Sequence, residues 1–463
     1  MYLYPGNIKL CRFIYYLEVN NILSNIKSLT PARFLTIGYL LVISVGTFLL
    51  TLPITTVDGR GLNIVDALFT ATSATAVTGL IVVDTATYLT TFGQIVVLVL
   101  IQIGGFGFMT TSTLFALLLG RKISFRERII IREELNHFTL SGVIKLARYV
   151  IALTLGIEFT GALLLFLKFK NTLPISKAIY FSVFHAISAF CNAGFALFSN
   201  SLENFVGNYY VNIIITTLFI LGGLGFAVIA DLYEKRRFVT LSLNSKLVLL
   251  TTIILILIGS SGIFLLESSN QNTFGQLALE DRFISAYFQG VTPRTAGFNT
   301  IAIGDLTQGS LFLIIILMFI GASPGSTGGG LKTTTIGVLI VATYSLVIGK
   351  DDAELFRRRL SQITVYKALA VTIVSLLVII LATLILTITE SFKFIEIFFE
   401  TVSAYATVGL STGITGGLST IGRVLITIIM FTGRVGPLTL AMALGERERS
   451  NKVRYPEEKI LIG

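Results

Sequence analysis

Ser73-Ala74-Thr75-Ala76-Val77-Thr78-Gly79 decides how this chain is read, because its shape returns three times. The echoes are Ser188-Ala189-Phe190-Cys191-Asn192-Ala193-Gly194, Val291-Thr292-Pro293-Arg294-Thr295-Ala296-Gly297 and Ser403-Ala404-Tyr405-Ala406-Thr407-Val408-Gly409. Each closing glycine is followed by a large apolar residue (Leu80, Phe195, Phe298, Leu410) and preceded, ten positions back, by an aromatic (Phe69, Phe184, Tyr287, Phe399). Four copies at intervals of roughly a hundred residues are an internal fourfold repeat.

The surroundings of each copy are apolar. Of 463 residues, 54% are hydrophobic and 13% charged, far more apolar surface than a soluble core needs, so the chain is read as a polytopic membrane protein. Phe34 to Ile54 is long enough to cross a bilayer, Asp66 to Thr72 is apolar but too short, and Thr90 to Leu119 crosses again. The short piece reads as a re-entrant helix that enters and turns back. Ala147 to Leu167 and Tyr209 to Ala230 flank the second copy, Leu247 to Leu266 and Leu311 to Ile348 the third, and Ala368 to Ile388 and Thr420 to Leu444 the fourth. The expected fold is therefore all-α: four parallel units around a central pore, with eight membrane-spanning helices and four re-entrant pore helices. The units are placed at 31–122, 145–237, 245–349 and 364–446, between an N-terminal segment 1–30 and a C-terminal tail 447–463.

The formal charge of +10 is topology, not a nucleic-acid footprint. Lys and Arg gather between the units, at Arg121 to Arg132, Lys235 to Arg237 and Arg357 to Arg359, which puts those loops and both termini on the cytoplasmic side of a plasma membrane, with acidic lipid as partner. Cys11, Cys191, His137 and His185 have no spacing for a zinc site or a disulfide framework. No span carries paired acids, a Ser/Lys dyad or His ligands at helical spacing, so an enzyme is not expected.

A second rhyme lies within the second crossing of each unit: Gly104-Gly105-Phe106-Gly107, Gly222-Gly223-Leu224-Gly225, Gly321-Ala322-Ser323-Pro324-Gly325 and Gly433-Arg434-Val435-Gly436. All four helices are thus weakened at one depth, glycine costing ~1 kcal/mol against alanine in a helix interior. Non-helical backbone at membrane depth must be buried or line a wet cavity. One such glycine would suit close helix packing. Four in register, each behind a short half-helix, suit a ring of carbonyls replacing the hydration shell of a monovalent cation. Val77, Ala193, Ala296 and Val408 have no side-chain ligand to offer.

These motifs, running from about Leu29 to Tyr455-Pro456-Glu457-Glu458-Lys459-Ile460, resemble the Trk/Ktr/HKT superfamily of potassium transporters, most closely the membrane subunits of its bacterial Ktr branch. The resemblance implies four M1-P-M2 repeats and a selectivity filter made of Ala76-Val77-Thr78-Gly79, Cys191-Asn192-Ala193-Gly194, Arg294-Thr295-Ala296-Gly297 and Ala406-Thr407-Val408-Gly409. Glycine at all four closing positions is similar to the potassium-selective members. It further implies K+ as cargo, Na+ as an activator with no residue assigned, no organic cofactor in this chain, a homodimer, and a cytosolic octameric ring of KtrA-type subunits binding ATP or ADP. That ring would touch the basic loops at Arg121 to Arg132 and Arg357 to Arg359.

Pro324 removes a backbone donor, and the run of glycine and hydroxyl residues from 322 to 334 cannot hold a helix, so a loop is expected inside the membrane. It is not a nucleotide-binding P-loop, since Leu331 stands where glycine must precede Lys332. By resemblance it is the gating loop, with Ser323, Pro324, Gly325, Ser326, Thr327, Gly328, Gly329, Gly330 and Lys332 as its working residues. Arg434 is expected beneath the filter as a positive barrier braced against that loop, the alternative being an arginine paired to helix carbonyls. Arg423 is expected to snorkel, and Arg294 to turn outward toward Glu400 or Asp281. The rival functions are a Na+ or other monovalent cation transporter of the same fold, and a non-conducting membrane receptor or scaffold.

Overall fold

The computed structural model describes residues 30–107, 110–111, 128–131, 143–444 and 458. The segment expected at 1–30, nearly all of the basic stretch at 121–132, His137 and the tail at 447–463 fall outside these, Thr30, Arg128 to Ile131 and Glu458 excepted.

Four long apolar helices, α1 (Pro31–Leu50), α4 (Val143–Phe169), α8 (Leu243–Glu267) and α12 (Gln362–Thr389), each precede a short one: α2 (Ile64–Thr75), α5 (Ile175–Phe190), α9 (Leu279–Val291) and α13 (Phe394–Ala406). The long helices expose rows of aliphatic side chains, among them Leu369, Ile373, Leu377, Ile380 and Leu384 on α12, as a lipid-facing surface does. The short helices run 12 to 16 residues, about 18–24 Å at 1.5 Å per residue, too little to cross ~30 Å of hydrocarbon. Starts are set by side-chain caps. Thr30, Asn63, Ser242 and Ser361 each accept from an N–H three residues on.

The second crossings follow as α3 (Thr91–Phe106), α6 (Tyr209–Leu224) with α7 (Phe226–Lys235), α10 (Gln308–Phe319) with α11 (Thr333–Val347), and α14 (Thr420–Val435) with α15 (Pro437–Leu444). In the second, third and fourth units the crossing read as a single stretch is in two pieces, and in the first α3 ends at Phe106. Among the described residues four helices are long and apolar enough to span, five if α6 and α7 count as one element bent by 95°. In three units the helix ends on a glycine. Gly107, Gly225 and Gly436 take φ of 84°, 93° and 87° with ψ of 150°, 134° and 135°, outside any right-handed helix and open only to glycine. The third unit has Pro324 at this register.

The first glycine of each rhyme does something else. A Cβ on Gly104, Gly222 or Gly433 would overlap the carbonyl oxygen of Thr75, Phe190 or Tyr405 respectively, so these residues let the second helix lie against the C-terminal end of the short one.

Helix packing closes a circle. α3 lies against α5, α6 against α9, α10 against α13, and α14 against α2. Each second helix thus supports the short helix of the following unit, and the fourth supports the first. The last joint carries an ion pair, Arg423 Nη1 to Asp66 Oδ1 at 2.5 Å, with Arg423 Nη2 also donating to the Gly416 carbonyl at 2.8 Å. Arg423 therefore does not snorkel; an acid fixed by the Asn63 cap at the start of α2 holds it. Arg423→Met leaves a buried carboxylate without its cation and is expected to lower stability by about 2–3 kcal/mol, read as a lower midpoint in detergent thermal unfolding.

Among the described residues the only strands are β1 (Glu354–Leu355) and β2 (Arg358–Arg359), a hairpin. It exposes Arg357 and Arg358, while Arg359 Nε pairs with Asp352 at 2.8 Å.

Candidate functional site: four glycine strips and an intramembrane loop

After each short helix the chain takes the same turn. Val77, Asn192, Thr295 and Thr407 have φ of 58°, 59°, 67° and 51°, and the glycines two residues later, Gly79, Gly194, Gly297 and Gly409, have φ of 97°, 70°, 76° and 87°. The residue between each pair has no positive φ. Left-handed backbone therefore alternates with a residue of ordinary φ in every strip.

The four glycines meet in a ring. A Cβ on Gly79 would lie 2.5 Å from the Ala193 carbonyl oxygen and 3.2 Å from Gly194 Cα; one on Gly194, 2.9 Å from Gly297 Cα. On Gly297 it would overlap the Val408 carbonyl oxygen, and on Gly409 the Thr78 carbonyl oxygen, with Gly79 Cα 2.8 Å away. In every unit the carbonyl before the glycine sits against the glycine of a neighbour. All sixteen strip residues come together here, and every one is buried except Gly194 and Gly409, which are partly so.

Hydroxyls brace the turns. Ser73 Oγ donates to the Leu80 carbonyl (2.7 Å) and accepts from Gly79 N (3.1 Å); Ser188 donates to Phe195 (2.7 Å); Ser403 accepts from Gly409 N (3.1 Å). In the third unit the matching position is Val291, and Thr292, one residue on, donates to the Phe298 carbonyl at 2.5 Å. The signal for this brace in the sequence is the shared place of the three serines, six before the closing glycine. A second unforeseen group stands behind the second strip, where Gln102 donates to both oxygens of the buried Glu158 (3.1 and 3.2 Å) and Cys191 Sγ lies 3.7 Å from Oε1.

Arg294 turns from the ring, as expected, but toward neither expected acid. Its Nη2 donates to Thr252 Oγ1 of α8 at 3.1 Å. Glu400 instead accepts from Thr415 Oγ1, and Asp281 lies beside Gly207.

The loop between α10 and α11 spans 320–332, so Thr333 and Thr334, expected within it, open α11 instead. It is bonded directly to the second and fourth units, and through Arg434 it is linked to the first. Ser323 N and Thr327 N donate to the carbonyls of Gly223 (3.0 Å) and Gly222 (3.2 Å), satisfying oxygens that the end of α6 leaves free, and Phe226 N at the start of α7 donates to the Gly325 carbonyl (2.9 Å). Gly329 N donates to Thr407 Oγ1 at 3.0 Å. Thr327 Oγ1 is 3.2 Å from the Asn192 amide, which also lies 3.1 Å from Thr295 Oγ1 whichever way the amide is turned. Lys332 Nζ donates to the Gly328 carbonyl at 2.8 Å. Arg434 reaches across, donating through Nη1 to the Thr327 carbonyl and through Nη2 to the Gly104 carbonyl. A cavity of about 440 Å3 abuts the loop; its charged lining residues are Lys332 and Arg434, with no acid among them.

Beyond the glycines, Asp84 lies in the connection between the first strip and α3. Burial alone would raise its carboxyl, but Ser199, Thr87 Oγ1 at 2.7 Å and Ala86 N at 2.9 Å outweigh that and hold it below the ordinary value.

The family model described as "TrkH: Cation transport protein" matches residues 33–453. The chain is 45% identical to the Ktr system potassium uptake protein B of Bacillus subtilis, over 94% of this chain and 97% of that one. It is 39% identical to the protein of the same name from Vibrio alginolyticus (93% and 94%) and 40% identical to the potassium/sodium uptake protein NtpJ of Enterococcus hirae (94% and 98%). The crystal structure of the potassium transporter TrkH from Vibrio parahaemolyticus shares the fold, with a TM-score of 0.71 at 20% identity over 89% of this chain and 84% of that chain. A model match across almost the full length, joined by relatives of this identity, means that the chain belongs to the TrkH family of cation transport proteins.

Proposed function

We propose that this chain is a gated K+ uptake pathway, in which four parallel M1-P-M2 repeats, at 31–122, 145–237, 245–349 and 364–446, surround one pore. The observation that carries the reading is the ring of four glycine turns, each with a neighbour's carbonyl oxygen against it. Such oxygens can replace the water around an alkali cation, and the C-terminal ends of α2, α5, α9 and α13 add partial negative charge. Inward movement is driven by the membrane potential, ~2.3 kcal/mol per unit charge per 100 mV. Asp84, kept ionised near the outer mouth, raises the local cation concentration. The loop at 320–332 is the gate, and Lys332 and Arg434 present positive charge below it.

Two relatives are named as proteins of a Ktr system, which favours a partnership with a KtrA-type nucleotide-binding ring on the cytosolic side. The homodimer, Na+ activation and cytoplasmic termini belong to the same reading. The test is Rb+ uptake and growth at low K+ in plasma-membrane K+-import-deficient cells expressing the chain with its Ktr ring. Rescue is expected; a well-inserted protein that carries no ion would support the receptor reading instead. The name of the Enterococcus hirae relative keeps Na+ as a second cargo. Na+ uptake as fast as Rb+ uptake would favour it.

A further inference from the structure

The residues two before the glycines serve the strips through their backbones, and three of them carry polar side chains aimed at the loop. Asn192 meets Thr327, Thr295 lies against Gly328, and Thr407 accepts from Gly329 N at 3.0 Å. The fourth, Val77, has no polar atom and packs on Gly104. That is the unit whose Gly104 carbonyl takes Arg434 Nη2. Strip side chains of the second and fourth units thus bond the loop, that of the third packs on it and bonds Asn192, and the guanidinium bridge links it to the first.

We propose that Asn192, Thr295 and Thr407 are positioning residues that latch the loop across the pathway, so that the inner end of the strips and the position of the loop form a single equilibrium. The proposal rests on the pore reading above and adds to it a mechanical link. Moving the loop must break the Thr407–Gly329 and Asn192–Thr327 bonds, which frees side chains on residues held at φ of 51° and 59°. Whatever favours the open loop therefore relaxes the strips, and an ion that tightens the strips favours the closed loop by the same factor.

The decisive experiment measures initial Rb+ influx into liposomes containing the purified full chain without other subunits, comparing native protein, Thr407→Val, Thr407→Ser, Gly329→Ala and the Thr407→Val/Gly329→Ala double variant. Thr407→Val removes one buried acceptor and should raise influx about two- to tenfold. Gly329→Ala places a Cβ 3.0 Å from Thr407 Cγ2 and against its hydroxyl, breaking the same bond from the loop side, and should raise influx similarly. The double variant should not exceed the larger single effect, because both remove one contact. Thr407→Ser keeps the hydroxyl and should show less than half of the rise seen in Thr407→Val.

Additive increases, a Thr407→Val influx equal to native, or Thr407→Ser behaving like Thr407→Val would overturn the latch and leave the pore intact. A Thr407→Val protein that conducts nothing while Thr407→Ser conducts would also overturn it, since the hydroxyl would then support the strip and not the closed state. If native protein and Gly329→Ala both carry no Rb+, the latch is overturned, while growth rescue in the presence of the Ktr ring separately decides the pore reading.

Discussion

Gly297→Ser is expected to cut the ratio of K+ (or Rb+) to Na+ uptake at least about tenfold, a change of only about 1.4 kcal/mol in relative stabilisation. Three effects act together at this position. Its φ of +76° costs an L-residue roughly 1–2 kcal/mol, the new Cβ would overlap the Val408 carbonyl oxygen of the fourth strip, and it would approach Gly194 Cα of the second to 2.9 Å. One methylene thus pushes on two other strips, and under the proposed pore reading an ion held by their carbonyls would lose the spacing that discriminates by size. Gly413→Ser separates strain from crowding: Gly413 also has a positive φ, of 101°, but nothing lies within 4 Å of its Cβ direction. It should keep the native ratio. The measurement is paired radiolabelled Rb+ and Na+ uptake on the same cells, and an unchanged ratio in Gly297→Ser would remove the glycine ring from ion selection.

What was legible in the sequence was whatever repeats locally. The strip glycines, the weak level in each second crossing and the loop after Ile320 all follow from residue type at fixed register, because a left-handed turn needs glycine wherever it occurs. The same logic failed where one unit departs from the others by a single residue: the brace at Ser73, Ser188 and Ser403 moves to Thr292, and only hydrogen bonding reveals the shift. Contacts between units were not legible at all. Arg423 finds Asp66 across 357 positions because the fourth second-helix returns to the first short helix, and circular order leaves no mark on spacing. Arg294 was given acids as partners on the general expectation that buried charge seeks charge, yet a hydroxyl on α8 lies closest.

The glycine rhymes also divide into two roles that composition could not separate. Gly104, Gly222 and Gly433 admit a carbonyl of the short helix, while Gly107, Gly225 and Gly436 end the helix. Between them sit Gly105, Gly223, Ala322 and Arg434. A side chain at 105 would strike Cys191, whose Sγ is 2.5 Å and Cβ 2.9 Å from the Cβ direction, so this site excludes even alanine while the fourth unit holds the longest side chain of the set.

Arg434→Ala is accordingly expected to raise Rb+ influx in the absence of regulatory subunits by roughly tenfold or more. The guanidinium makes two charge-assisted bonds, each worth about 1.5–3 kcal/mol: the one to the Thr327 carbonyl must break for the loop to leave, and the one to the Gly104 carbonyl holds the guanidinium in place to make it. Losing even one at the low end shifts the closed-to-open ratio about tenfold. The substitution also removes one of the two positive charges lining the cavity beside the loop, lowering the barrier to a cation passing through it. Arg434→Lys tells the two contributions apart: an ammonium keeps the charge but lacks the planar fork that spans two carbonyls on different units. If the bridge dominates, the lysine variant leaks nearly as much as the alanine variant; if charge dominates, it stays close to native. Liposome flux measured on all three proteins decides between these, and an Arg434→Ala protein as tight as native would mean that the loop is held closed by the strip side chains and the α6 carbonyls alone.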